Sequence, residues 1–83
     1  MDHTLLIARS ITQAQRMERT LEQVGIGSQI YRAPAGLTDR GCGYAVSIQT
    51  KQLSPALRRL QEMGLKPVRI YQSNGKNYKE VRL

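Results

Sequence analysis

The chain has one cysteine, one histidine and no phenylalanine or tryptophan among its 83 residues. A single cysteine excludes an internal disulfide, and Cys42 with His3 supplies too few soft ligands for a structural zinc site. The sequence has no apolar run of about 18 residues that would span a membrane, and its N-terminus lacks the basic and apolar segments of a signal peptide. We therefore expect a protein of a reducing cytoplasm, with no metal and no cofactor.

Negative charge is also scarce. Thirteen Lys and Arg stand against six Asp and Glu, which gives a formal net charge of +7. This balance favours an anionic partner, namely nucleic acid, a small oxyanion or an acidic protein surface. The six carboxylates form no pair in one loop that would indicate acid–base catalysis. Residues 1–83 are enough for a single domain, to which a partner or a second copy could add stability.

Two amphipathic helices are predicted. The first begins after Ser10, which forms a capping box with Gln13, and it runs to about Gln23 and stops at Gly25. Its apolar stripe consists of Ile11, Ala14, Met17, Leu21 and Val24. The second begins between Thr50 and Pro55 and ends at Gly64. Its apolar stripe consists of Leu53, Ala56, Leu57, Leu60 and Met63.

Four strands are predicted around these helices. They cover residues 5–8, 28–33, from 43 or 44 onward, and 67–71. The first is typical of a strand buried on both faces, and the third alternates, with Tyr44, Val46 and Ile48 on one face. In the fourth strand we expect Val68 and Ile70 to point inward. Residues 72–83 form either a short extra edge strand or a loose basic tail.

The order β-α-β-β-α-β predicts an α+β fold, a ferredoxin-like split sandwich with two helices on one face of an antiparallel sheet. In such a sheet the strand order is 4-1-3-2, so the beginning of strand 3 lies beside the end of strand 1. Cys42 should then neighbour Arg9, Ser10 and Thr12, and its thiol should point toward the positive end of the first helix dipole. Arg40 is close in sequence, and this environment favours a thiolate or a bound anion.

Cys42 lies between Gly41 and Gly43, directly before strand 3. Flanking glycines permit positive φ and close approach to a ligand, whereas a cysteine of the core more often lies inside an apolar run. The glycines could also present backbone N–H groups to an anion. The alternative interpretation is that Gly41 and Gly43 simply form the turn and that Cys42 is an ordinary free thiol.

Several segments together resemble the selenium/sulfur carrier protein-like family of small bacterial proteins. They are residues 10–25, the proline-containing loop, the Gly41-Cys42-Gly43 turn, and the Gly64-Leu65 and Tyr71 region. The resemblance implies that Cys42 carries sulfur or selenium as a persulfide-like adduct, which passes from a desulfurase-type donor to an acceptor protein. It implies a carrier rather than an enzyme with turnover of its own. The chain is more basic than a simple carrier requires, which leaves its partner open.

Two other functions stay open at this point. The first is a basic module that binds RNA or tRNA. Such modules stack bases on aromatic rings of the central strands, whereas Tyr31 and Tyr71 lie on strands predicted at the edges and strand 3 presents only Ala45 and Ser47 on the open face. The second is a regulatory subunit that forms a homodimer through the open sheet face. A Cys-His catalytic dyad is disfavoured, because His3 lies at the start of strand 1 whereas Cys42 is expected beside the other end of that strand.

Overall fold

The structure, a computed structural model, describes residues 3–32, 43–73 and 78–81. The strands are β1 (His3–Ala8), β2 (Gln29–Arg32), β3 (Tyr44–Gln49), β4 (Arg69–Ser73) and β5 (Tyr78–Glu80). The helices are α1 (Ile11–Gln23) and α2 (Leu53–Glu62), and a 3-10 turn at Thr50–Gln52 precedes α2. The predicted alternation of strands and helices is thus confirmed, and the chain has an α+β fold.

The five strands form one antiparallel sheet in the order β2-β3-β1-β4-β5. The neighbours expected for strands 1 to 4 are present, but the order differs from a four-stranded ferredoxin-like sheet because β5 pairs outside β4. Tyr78 lies opposite Ser73, and Glu80 lies opposite Tyr71. Of the two alternatives for residues 72–83, the extra edge strand is therefore the one observed. The prediction that β4 lies at the edge of the sheet was wrong, because β5 occupies that edge.

Both helices pack on the same face of the sheet. The core on this face joins alternate residues of the strands to the apolar stripes of α1 and α2. Its buried members are Leu6, Ala8, Ala14, Met17, Leu21, Ile26, Val46, Ile48, Ala56, Leu60 and Ile70. Burial of one large aliphatic side chain contributes about 1.5–3 kcal/mol, so this cluster supplies most of the driving force for folding.

The helix-free face of the sheet has a smaller buried cluster. It consists of Leu5, Ile7, Ala45 and Tyr71. Because Leu5 and Ile7 alternate with Leu6 and Ala8, β1 is buried on both faces, as its apolar run predicts. Ala45 and Ser47 lie on this face of β3 and are buried as well.

The predicted stop signals are confirmed at both helix ends. Gly25 and Gly64 follow α1 and α2 with φ of 78° and 70°, the left-handed conformation that glycine adopts without a steric penalty. Backbone bonds close both ends, from Ile26 N–H to the Leu21 carbonyl at 2.9 Å and from Leu65 N–H to the Leu60 carbonyl at 2.8 Å.

The apolar stripes extend less far than predicted. Ile11 and Val24 at the two ends of α1 are 41% and 47% exposed, and Met63 beyond α2 is 51% exposed. Val68 was expected to point inward with Ile70, but β4 begins at Arg69 and Val68 is 49% exposed. Each of these side chains lies at or just beyond the end of its element and outside the buried core cluster, so the sequence periodicity runs on past the packed part of each element.

Candidate functional site

The candidate site lies at the end of the sheet where β1 ends and β3 begins, here termed the Gly43 end. Tyr44 pairs with Ala8 on one side and with Arg32 on the other. Gly43 directly precedes Tyr44 and is buried. It therefore lies where Arg9 and Ser10 lead from β1 into α1, which confirms the predicted neighbourhood of strands 1 and 3.

The start of α1 is fixed by hydrogen bonds. Ser10 is the N-cap, and its Oγ accepts from the backbone N–H of Gln13 at 3.2 Å. Gln13 Oε1 accepts from the backbone N–H of Arg9 at 2.6 Å, one residue earlier than in the usual capping box. The predicted cap is thus present, and it orients the first turn of α1 relative to the end of β1.

The side chain of Gln13 also connects the first turn of α1 to the segment before β4 by a hydrogen bond. Its Nε2 donates to the Lys66 carbonyl at 3.4 Å, and the Val68 N–H donates to the Ile7 carbonyl at 2.8 Å. Elements that are distant in sequence therefore meet at the Gly43 end, because the sheet order brings β4 beside β1.

The predicted site residues fall into two groups. Arg9, Ser10 and Thr12 are all exposed where β1 leads into α1, and Gly43 precedes the residue of β3 that pairs with Ala8. Arg40, Gly41 and Cys42 lie outside the described residues, so their predicted contribution stays a prediction. The start of α1 has only uncharged side chains, Ile11 to Ala14, so no carboxylate of its own opposes the positive end of its dipole.

Sequence reasoning missed two cations at the Gly43 end. Arg32, at the end of β2, is exposed and lies opposite Tyr44. Lys66 is exposed in the segment that Gln13 holds. Neither is close to Cys42 in sequence, and only the pairing of β2 with β3 and of β4 with β1 brings them to this end. A signal was available for Arg32, since a register derived from the predicted strand order would have placed it beside Tyr44.

Among the described residues, the central strands lack the exposed aromatic rings on the helix-free face that the RNA alternative needs. RNA-recognition sheets stack bases on exposed aromatic rings of their central strands. Here β1 and β3 present Leu5, Ile7 and Ala45, which are buried, and Tyr71 is only 8% exposed. Tyr31 is 43% exposed, but it lies on the edge strand β2.

His3 lies at the opposite end of the sheet from Gly43. It is exposed and pairs with Gln49 and Ser73. Across residues 3–32, 43–73 and 78–81, no group of three or more His, Cys, Asp or Glu could hold a metal ion. In the same part of the chain, no helix is long and apolar enough to cross a membrane.

Comparison with known proteins bears on this site. The model of the family described as "Putative Se/S carrier protein-like" matches residues 3–72. The chain belongs to this family. The match includes both helices, β1 to β3, most of β4 and the Gly43 end, so the resemblance inferred from the sequence is confirmed. Neither a curated protein nor a solved structure matches the chain.

Proposed function

We propose that the chain is a selenium/sulfur carrier that holds one chalcogen atom on Cys42 and transfers it between two partner proteins. The observation that carries this proposal is the pairing of Tyr44 with Ala8, within a chain of the Se/S carrier-like family. This pairing brings Gly43 to the start of α1, and Gly43 directly follows Cys42 in the sequence.

The proposed transfer is an exchange between thiolates. The Cys42 thiolate attacks the terminal sulfur of a donor persulfide, and the sulfur–sulfur bond of the donor breaks as a new one forms on Cys42. The donor leaves as a thiolate and Cys42 becomes a persulfide, with no net oxidation. An acceptor thiolate then attacks the same terminal atom and releases the Cys42 thiolate. Selenium follows the same course as a selenopersulfide.

The surroundings of the start of α1 support a thiolate there. Tyr44 packs toward the helix-covered core, and the same strand parity two residues earlier would direct the Cys42 thiol to the side of α1. The N-terminus of a helix and the guanidinium of Arg9 both favour a negative charge. We propose that Arg9, Ser10, Thr12 and Arg40 form the supporting shell, with backbone N–H groups of Gly41 and Gly43 facing the terminal atom.

The single cysteine suits a carrier. A second cysteine nearby would attack the adduct and resolve it into a disulfide, whereas a lone thiol keeps the atom until an acceptor arrives. We propose a desulfurase-type donor and a separate acceptor protein as partners, no turnover by the chain itself, and a reducing cytoplasm as its location. The fold we propose is a ferredoxin-like sandwich extended by β5.

The test is intact-mass spectrometry after incubation with a cysteine or selenocysteine desulfurase and its substrate, without added reductant. We expect a gain of one sulfur or one selenium atom, which a thiol reductant removes. Cys42→Ser should show no gain in mass. Ser54 is exposed on α2, and the control variant Ser54→Ala should gain the same mass as the unmodified chain. Loading of the serine variant, or no loading of the unmodified chain, would contradict the proposal.

A further inference from the structure

Exposed aliphatic and cationic side chains lie together at the Gly43 end. Ile11 begins α1 and is 41% exposed, and Val68 precedes β4 and is 49% exposed. Arg9, Arg32 and Lys66 are exposed at the same end. We infer that these five residues, termed the Ile11–Val68 surface, dock an acidic, partly apolar surface of the protein that exchanges its chalcogen atom with Cys42. This inference rests on the proposed function.

Hydrogen bonds hold the parts of this surface in fixed positions. Gln13 contacts the Arg9 N–H at 2.6 Å with one end of its carboxamide and the Lys66 carbonyl at 3.4 Å with the other. The Val68 N–H bonds to the Ile7 carbonyl at 2.8 Å. The backbone that presents both aliphatic side chains is thus held before a partner binds, which lowers the entropy cost of docking.

The charges of the surface are available to a partner. Within residues 3–32, 43–73 and 78–81, no carboxylate pairs with the side chain of Arg9, Arg32 or Lys66, whereas Arg59 and Glu62 form an ion pair at 3.7 Å on α2. In the described part of the chain, these three cations from separate elements have no carboxylate partner, and together they favour a positive potential around Gly43. Such a potential accelerates association with an acidic surface and orients it.

The exposed aliphatic side chains favour a protein over a nucleic acid as the occupant. Protein interfaces combine apolar and charged side chains, and the Ile11–Val68 surface offers two exposed aliphatic residues and three cations at one end of the sheet. Single-stranded nucleic acids instead stack their bases on aromatic rings, and phosphate groups gain nothing from aliphatic side chains. A standard stable interface uses roughly 20–30 residues of each partner, whereas this surface has five, so we expect the complex to be transient. A carrier that alternates between donor and acceptor requires such exchange.

The test compares the second-order rate constant of sulfur transfer from a persulfidated cysteine desulfurase and from a small-molecule persulfide. Val68→Ser and Lys66→Glu alter the surface, and Val24→Ser and Lys51→Glu make the same changes at exposed positions outside it. We expect each surface variant to lower transfer from the protein donor by about fivefold at low salt. Transfer from the small donor should change by less than about twofold, and both control variants should transfer as the unmodified chain does.

The result separates the inference from the proposed function. Equal rates for surface and control variants with the protein donor, alongside normal loading from the small donor, would overturn the docking surface and leave the carrier. Loading from neither donor would overturn both. If Lys66→Glu weakened tRNA binding with a steep salt dependence while transfer from the desulfurase was unchanged, the surface would instead bind nucleic acid, and the inference would be wrong.

Discussion

Ala8 and Tyr44 lie opposite each other across the antiparallel strands β1 and β3. Because β1 leads into α1 and Gly43 directly precedes β3, this one pair brings the start of a helix to Gly43, the residue that follows Cys42 in the sequence. The proposed chemistry depends on this juxtaposition.

The first prediction concerns the acidity of Cys42. We expect its pKa to lie below the value of about 8.5 for a free thiol, because the helix N-terminus and Arg9 favour the thiolate. Arg9→Ala should raise this pKa, and replacement of the exposed Arg19 farther along α1 by Ala should leave it unchanged. The measurement is the rate of alkylation by iodoacetamide as a function of pH. A pKa at or above that of a free thiol would contradict the account.

The second prediction separates helix capping from electrostatics at Ser10. Ser10→Asp keeps an N-cap of similar strength but adds a negative charge at the start of α1. The free energy of unfolding should therefore change by less than about 0.5 kcal/mol, while the pKa of Cys42 rises. Ser10→Ala should instead lower the free energy of unfolding by about 1 kcal/mol, because the cap is lost, while adding no charge that would raise the pKa of Cys42. Urea unfolding and alkylation measure the two effects, and a Cys42 pKa unchanged by Ser10→Asp would place the thiol away from α1.

The third prediction concerns Gln13, whose side chain contacts the Arg9 N–H and the Lys66 carbonyl. Gln13→Ala removes both bonds, and we expect the free energy of unfolding to fall by about 1–2 kcal/mol. Gln15→Ala, at an exposed position of the same helix, should change it by less than about 0.5 kcal/mol. Urea unfolding checks both values. If the two variants were equally stable, the carboxamide bridge would not contribute to the fold.

The fourth prediction tests where the apolar stripe of α2 ends. Leu60 is fully buried, so Leu60→Ala should cost about 2–5 kcal/mol. Met63 is 51% exposed, so Met63→Ala should cost less than about 1 kcal/mol although it continues the same sequence pattern. Denaturant unfolding of the two variants is the measurement. A loss for Met63→Ala comparable with that for Leu60→Ala would mean that α2 packs farther along than described.

The regular part of the fold follows from local signals. The apolar run of β1, the cap at Ser10 and the left-handed glycines Gly25 and Gly64 act within a few residues, and each appears where expected. The exposure of Val68 could not be predicted, because a period of two shows which face a residue takes but not where the covering layer stops. Pairing of β5 was equally undetermined, since three residues with two charges carry no strand pattern.

Of the candidate site, the neighbourhood of strands 1 and 3 was predictable from the sequence, because the strand order determines it. The strand order placed the start of β3 beside Arg9 and Ser10, as observed. Lys66 was missed because its position depends on the pairing of β4 with β1, which are far apart in sequence, and Arg32 was missed because no register was derived for the consecutive strands β2 and β3. Long-range register, rather than any motif, decides which charges surround Gly43.

The central claim is that Cys42 itself carries the transferred atom. Its most direct test is peptide mass mapping of the protein after loading by a desulfurase and alkylation of the terminal atom. The account predicts an alkylated persulfide or selenopersulfide on the peptide that contains Cys42, with the Arg9-containing peptide unmodified. A loaded protein whose extra atom maps to any other peptide, or a Cys42 peptide alkylated only at its own sulfur, would contradict it.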